Sequence, residues 1–326
     1  MKVLLLGASG LLGHNVLIML LDRGYDVVVP LRQGSRLDIC HERISVVRCE
    51  RLDEGMLSQA AQGCGAIINS AGITDMSLLR YDGYKAINTF LPQMLVNVML
   101  KYGIGTLVHV STANTVGFGS VEAPASENSP MQFPFSQSFY AMSKMEGESV
   151  LLRAADEYPQ LRVVIVNPGF MIGPYDIKPS SGALLLAAYR RRVMLAPKGG
   201  KSFVHVAAVA TAVVNALVSG ISGERYLLTA HNISISDLYK IQARVCSYKQ
   251  LVVPIPNWIM YCAGFVGDVL RRLGFKISLS TRNVRLLMVA EYYSSKKAVE
   301  TLQMPMISID DAVRDFHLYR GQCPNV

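Results

Sequence analysis

Short apolar runs recur through the first half of the chain, separated by longer stretches in which apolar side chains return every three or four positions. That alternation is the pattern of buried parallel strands joined by crossover helices. The runs predict strands at Val3–Leu6, Asp26–Val29, Ile44–Val47, Ala66–Asn69, Thr106–Val110 and Val163–Val166. The stretches between them predict helices at Leu11–Arg23, Asp53–Gln62, Tyr84–Tyr102 and Tyr140–Glu157. The expected fold is α/β, a doubly wound parallel sheet of the Rossmann type.

From Gly117 to Phe139 the chain is rich in Gly, Pro, Ser and Phe without an apolar period, which reads as a long loop over the carboxyl ends of the strands. After Pro168 the alternation breaks up. Residues 1–168 and 203–234 are therefore expected to form a dinucleotide-binding domain, and residues 169–202 and 235–326 a smaller, mostly helical substrate-binding lobe threaded with returning strands. Two apolar segments bear on membranes. Phe203 to Ile221 is nearly long enough to span, but it reads as a short strand followed by a small-residue helix that ends near Gly220. Trp258 to Val269 is too short to span, and either a peripheral contact with a lipid surface or a substrate cap would use its aromatic and aliphatic side chains.

With 326 residues, 51% of them hydrophobic, the chain can bury a large core, which excludes a disordered or fibrous protein. The net charge of +8 raises nucleic acid as a partner, but Lys and Arg are scattered and no recognition motif accompanies them, so none is expected. The cysteines and histidines lack the spacing of a metal site, and no metal is expected either. The first strand starts directly after Met1-Lys2, so the reading expects a cytoplasmic protein.

Two strings carry the chemistry. Gly7-Ala8-Ser9-Gly10-Leu11-Leu12-Gly13 lies between the first predicted strand and the first helix. There Gly7 permits a tight turn, Gly10 lets backbone approach a pyrophosphate, Gly13 allows strand and helix to pack closely, and the helix start faces the anion. Tyr140 and Lys144 stand four apart on a predicted helix, one above the other, where an ammonium can stabilise a tyrosinate. At the end of the second strand, Val29-Pro30-Leu31-Arg32-Gln33-Gly34-Ser35-Arg36 offers no carboxylate for a ribose 2′-hydroxyl. Arg32, helped by Ser35 or Arg36, could instead neutralise a 2′-phosphate, which favours NADP over NAD; Arg32 stacking on adenine is the alternative.

Taken with Asn69-Ser70-Ala71-Gly72, Val110-Ser111-Thr112 and Asn167-Pro168-Gly169-Phe170-Met171-Ile172-Gly173-Pro174, these strings resemble the extended short-chain dehydrogenase/reductase superfamily, in its NAD-dependent epimerase/dehydratase family. The resemblance rests on five motifs in register and covers about nine tenths of the chain. By Asp176-Ile177-Lys178-Pro179-Ser180, Gly223-Glu224-Arg225-Tyr226-Leu227-Leu228 and Tyr292-Tyr293-Ser294-Ser295-Lys296-Lys297-Ala298 it is greatest to the branch containing dihydroflavonol reductases, 3β-hydroxysteroid dehydrogenases and bacterial epimerase-like relatives. It implies that Tyr140 is the acid/base. It also implies that Lys144 holds the nicotinamide ribose and lowers the tyrosine's pKa from about 10, and that the Thr112 hydroxyl binds the substrate oxygen, with Ser111 as fallback. Ser9, Leu11 and Leu12 then join the glycines around the pyrophosphate. Glu50 and Arg51 fall at the adenine, with Glu50 standing where relatives carry Asp; Ala71 and Gly72 line the cofactor, and Pro168 borders the nicotinamide amide. Asn88 matches a structural helix asparagine. Ala208 stands where relatives commonly carry Asp, which implies a lost local hydrogen bond.

The reaction so implied is NADP(H)-dependent interconversion of a ketone and a secondary alcohol on a fairly apolar small molecule. Phe170 and Met171 are expected to bind the substrate, with Met131, Phe133, Phe135, Ile177 and the region of Trp258 completing an apolar lining, although core packing would explain the same side chains. An NAD-dependent nucleotide-sugar epimerase or dehydratase is the alternative, with Arg190, Arg191 or Arg192 on the diphosphate. A non-catalytic dinucleotide-binding redox sensor is a further one. A homodimer is compatible with any of these.

Overall fold

The computed structural model describes residues 1–75, 78, 80–177, 181–275, 277 and 279–322. In the first half, β1 (Lys2–Leu6), α1 (Leu11–Asp22), β2 (Asp26–Arg32), β3 (Ile44–Cys49), α2 (Glu54–Ala60) and β4 (Ala66–Asn69) follow the predicted order. After them come α3 (Asp82–Lys85), a π-helical turn (Ala86–Phe90), α4 (Leu91–Tyr102), β5 (Thr106–Val110), α5 (Phe139–Glu157) and β6 (Arg162–Pro168). The second half contributes β7 (Phe170–Ile172), α6 (Gly182–Ala188), β8 (Val193–Ala196), β9 (Gly200–His205), α7 (Val206–Ser219), β10 (Arg225–Leu228) and β11 (His231–Ser234). It closes with α8 (Ile235–Val245), β12 (Leu251–Pro254), α9 (Asn257–Arg272), α10 (Thr281–Met288), β13 (Ala290–Glu291), α11 (Lys296–Leu302) and α12 (Ile309–Tyr319).

Seven strands form one parallel sheet in the order β10-β6-β5-β4-β1-β2-β3. Its strands are apolar at consecutive positions because both faces are covered. Along β1, Val3 and Leu5 pack on one side with Val16, Leu17 and Leu20 of α1 and the alanine-rich α7. Leu4 and Leu6 pack on the other with Leu57 of α2, Leu95 of α4 and Leu151 of α5. Because the strands run parallel, β1, β4, β5 and β6 all end on one side of the sheet, around the point between β1 and β4 where the strand order reverses and ligands of such sheets bind.

Three departures from the sequence reading have physical causes. The helix expected at Tyr84–Tyr102 is interrupted by the π turn just ahead of Pro92, whose ring cannot donate to the helical ladder. There Asn88 turns inward, and Gly147 of α5 comes so close that a Cβ on it would lie 2.2 Å from the Asn88 carbonyl oxygen. In the second lobe the expected returning strands form sheets of their own. β7, β9, β11 and β13 form a second sheet, and β8 pairs with β12. Residues 203–205, expected with the large sheet, lie in β9 of this smaller one, whereas α7 packs beside α1 and β10 joins β6. A buried ion pair, Lys201 to Glu291 at 2.7 Å, ties β9 to β13. Finally, the loop 117–139 is anchored by bridges from Gly119 to Tyr292 and from Ala125 to Tyr293, and its Phe135 is buried.

Candidate active site

The glycine loop is built by close approach. Gly7 has φ +81°, and a Cβ there would lie 2.7 Å from the Ala71 nitrogen; a Cβ on Gly13 would lie 2.1 Å from the Gly7 oxygen. Gly10 is different: its nearest neighbour would be the Gly7 oxygen at 3.4 Å, so open space lies in front of it. Gly10 is also the N-cap of α1, with no side-chain acceptor and no acidic residue in the first turn. The amides of Leu11, Leu12 and Gly13 thus have no intrahelical acceptor, an arrangement that fits a pyrophosphate, and Ser9 is exposed beside them.

The second strand ends in Arg32, exposed and next to the exposed Arg36. Gly34 turns the loop with φ +78°, and Arg48 of β3, which the sequence reading missed, holds that turn by donating to the Ser35 carbonyl at 2.8 Å. Asp38 lies farther along, near His14 and Tyr319. Glu50 and Arg51 are exposed at the end of β3, where Arg51 pairs with Asp53, the N-cap of α2, at 3.0 Å.

At the same sheet edge, Ser138 caps α5 and sets Tyr140 in its first turn. The hydroxyl of Thr112, just beyond β5, faces the Tyr140 phenol and pulls its pKa down, and the buried Ser111 Oγ has no hydrogen-bond partner. Lys144 is buried and donates from Nζ to the Val110 carbonyl oxygen at 2.7 Å. A Cβ on Gly72 would lie 3.9 Å from that Nζ, which puts the ammonium beside the segment expected to line the cofactor. Asn88 secures this segment: its side chain exchanges hydrogen bonds with the Ile73 backbone at 2.9 and 3.1 Å and donates to Ser143 Oγ at 3.0 Å.

Beneath Thr112 lies a buried network that sequence reading did not single out as functional. Asn167 Nδ2 donates to the Thr112 carbonyl at 3.1 Å, to Thr115 Oγ1 at 3.0 Å and to Glu148 Oε1 at 2.8 Å, and Thr115 Oγ1 donates to the same carboxylate oxygen at 2.7 Å. The available signal was Glu148 itself, a carboxylate one turn after Lys144 on the same helix face.

Burial dominates both titrations. It pushes the Tyr140 phenol up to about 12 against the opposing pull of the Thr112 hydroxyl, and it pulls Lys144 down to about 8 against the raising effect of Glu148. Thr112 is the neighbour that lowers the tyrosine's pKa here, and the Lys144 ammonium is turned to Val110.

Tyr140 opens onto a pocket lined with Leu78, Tyr84, Ser138, Phe139, Arg271, Arg282 and Asn283, and the adjoining groove of about 360 Å³ adds Asp268, Arg272 and Ser280. The anticipated apolar lining is elsewhere. Phe170 packs edge-on against Phe203, Met171 packs against the main core, and Phe135 packs on Phe118. Phe133 lies under Arg285, Ile177 is exposed, and Arg190 sits over the Tyr189 ring. Pro168 ends β6, as its expected role at the nicotinamide requires. At Ala208 the missing carboxylate is compensated nearby, because His205 Nδ1 caps α7 by accepting from the Ala207 amide at 3.0 Å.

A glycine turn into a helix on a parallel sheet, with tyrosine, lysine and threonine converging at the same edge, defines an NAD(P)-dependent enzyme of the short-chain dehydrogenase/reductase class. The family model of the NAD-dependent epimerase/dehydratase family matches residues 3–228, and the chain belongs to that family. It is 28% identical over 317 residues to a putative dihydroflavonol 4-reductase of Synechocystis, covering 95% of this chain and 91% of the relative. It is 26% identical over 282 residues to sterol demethylase protein B of Methylococcus capsulatus, covering 84% of each. The solved structure of gox2253 superposes with a TM-score of 0.83 at 25% identity over 98% of both chains.

Proposed function

We propose that this enzyme uses NADP(H) to interconvert a ketone and a secondary alcohol on a small, largely apolar molecule. The observation that carries the reading is Tyr140 lining a pocket at the sheet edge one helical turn from the buried Lys144, with the Thr112 hydroxyl facing its phenol. When bound, the nicotinamide cofactor gives or takes the hydride at the carbonyl carbon. Gly7, Ser9, Gly10, Leu11, Leu12 and Gly13 hold its pyrophosphate, Glu50 and Arg51 its adenine, and Ala71, Gly72, Lys144 and Pro168 its nicotinamide half. Arg32, beside Arg36, meets the 2′-phosphate, the basis for preferring NADP to NAD.

Tyr140 donates its phenolic proton to the carbonyl oxygen during reduction, and a pKa of about 12 keeps that proton in place at neutral pH. Thr112 donates to the same substrate oxygen and aligns it. Relatives named for dihydroflavonol and sterol chemistry support an apolar substrate body. One observation favours a second reading: Arg271 and Arg282 line the Tyr140 pocket and Arg272 the adjoining groove, where they suit the diphosphate of a nucleotide sugar and hence an epimerase that retains its cofactor.

Titration with NADPH and NADH, followed by nicotinamide fluorescence, and turnover of a panel of hydrophobic ketones test the proposal. NADPH binding with consumption that Tyr140→Phe abolishes is the expected result. Tight NAD(H) binding without net consumption would transfer support to the epimerase.

A further inference from the structure

We propose that α9 docks the enzyme on an anionic lipid surface. The helix is inside out for a water-soluble fold. Its buried residues are Gly264 and Gly267, and a Cβ on either would press on the backbone of Thr281 at 2.9 Å or of Leu279 at 2.4 Å, so that side is sealed against the start of α10. The opposite arc carries Trp258, Ile259, Phe265, Val266, Val269 and, just past its end, Leu273, each between 40% and 70% exposed. At about 100° per residue these side chains fall within roughly a third of the helix circumference. A surface helix of a globular protein turns that stripe inward; here it faces solvent.

Length and charge identify the occupant. Sixteen residues span about 24 Å at 1.5 Å per residue, short of a membrane crossing but suited to lying in the interface plane. Among the described residues, no helix is long and apolar enough to cross a membrane. From 255 to 289 the sequence holds Arg271, Arg272, Lys276, Arg282 and Arg285 against a single carboxylate, Asp268, which accepts from the Thr281 amide at 3.2 Å and so faces α10. An apolar stripe with Arg272 at its margin, in a segment of net positive charge, matches acyl chains beneath anionic headgroups. A second copy docked face to face across a two-fold axis would bring that positive segment against its own like. Arg271 and Arg282 also line the Tyr140 pocket, so a docked α9 brings the pocket's rim close to the lipid.

Trp258 is the chain's only tryptophan, so its emission reports on this face alone. The full-length protein is to be mixed with phosphatidylcholine vesicles, with and without a quarter of phosphatidylglycerol, while emission and co-sedimentation are followed. We expect a blue shift and co-sedimentation with the anionic vesicles, reversed by salt. Binding should weaken about tenfold or more in Phe265→Glu/Val269→Glu and several-fold in Arg272→Glu. Unchanged far-ultraviolet circular dichroism and thermal midpoint would show the variants folded. Absence of binding, equal binding to both vesicle types, or full binding by the folded double variant would overturn the proposal. So would a lipid-independent blue shift that rises with protein concentration alongside a doubled mass in sedimentation, which would assign the face to a second copy.

Discussion

Lys144 directs its ammonium to the carbonyl oxygen of Val110, 2.7 Å away, and not to the phenol of Tyr140 one turn earlier. It is a buried cation, held at about 8 by burial against an ordinary value of 10.5. Between those values the unfolded chain keeps a proton that the folded chain has released, so stability rises with pH across that window, and below about 8 the penalty is present in full. At about 1.4 kcal/mol per pKa unit the penalty is on the order of 3 kcal/mol, and losing the donor to Val110 returns about 1 kcal/mol of it. Lys144→Met should therefore raise the thermal midpoint at pH 7 by a few degrees while abolishing turnover, and this advantage should shrink as the pH approaches 10.5. Thermal melts across pH check it; a variant less stable than the parent at pH 7 contradicts it.

The Thr112 hydroxyl is the group that lowers the Tyr140 pKa, so Thr112→Ala should raise that pKa further. In alcohol oxidation, which needs tyrosinate, the alkaline limb of the pH–rate profile should move to higher pH. Thr112→Ser should restore it, and Tyr140→Phe should lose about 10²–10⁴ in kcat without loss of cofactor binding. A pH profile identical in Thr112→Ala and the parent would show that this contact does not tune the acid.

Two glycines in one loop should fail in different ways. A Cβ on Gly13 meets backbone at 2.1 Å, so Gly13→Ala should cost on the order of several kcal/mol of stability and give little folded protein. A Cβ on Gly10 meets nothing closer than 3.4 Å, so Gly10→Ala should fold with a near-parental melt and bind NAD(P)H at least about tenfold more weakly. Equilibrium unfolding and nicotinamide fluorescence separate the two outcomes.

Arg32 is exposed, and charge reversal there is structurally cheap. Arg32→Glu should weaken NADPH binding by about 10–100-fold, the scale of one lost charge-assisted pair plus repulsion, while NADH, which lacks the 2′-phosphate, changes little. Parallel titrations check it; equal loss for both nucleotides would mean that Arg32 stacks on adenine and does not bind the phosphate.

The sheet half was legible because strands buried on both faces are written as uninterrupted apolar runs, Val3–Leu6 and Thr106–Val110 among them, and because Gly7 and Gly13 are demanded by contacts that no other residue fits. The π turn at Ala86–Phe90 was hidden because a helical period does not register one extra residue in a turn. The strand from Phe203 was legible, but its place in a smaller sheet was not, because its partner β13 is only two residues long and β9 is buried throughout. Lys201 and Glu291 are charged residues whose interior place depends on their pairing across β9 and β13. The pocket lining failed for a topological reason: Phe135 and Phe170 were near Tyr140 in sequence but went to core contacts, whereas Arg271 and Arg282 arrived from more distant chain.

Glu148 connects the support of the site to its electrostatics. Its Oε1 accepts from Thr115 and Asn167, while Oε2 makes no hydrogen bond and faces Arg225 Nη1 at 3.6 Å. Glutamine retains an oxygen for the first two contacts and removes only the charge. That charge raises the pKa of both Lys144 and Tyr140, so Glu148→Gln should lower both and move the pH–rate profile toward acid. Glu148→Ala removes the acceptor as well, leaving Thr115 and Asn167 only the Thr112 carbonyl and each other, and should cost about 1–3 kcal/mol. Melts and pH profiles of the two variants divide the roles: an acid shift in the glutamine variant at near-parental stability makes Glu148 a positioning residue that tunes the acid/base pair. A destabilised glutamine variant with an unmoved profile reduces it to a packing support.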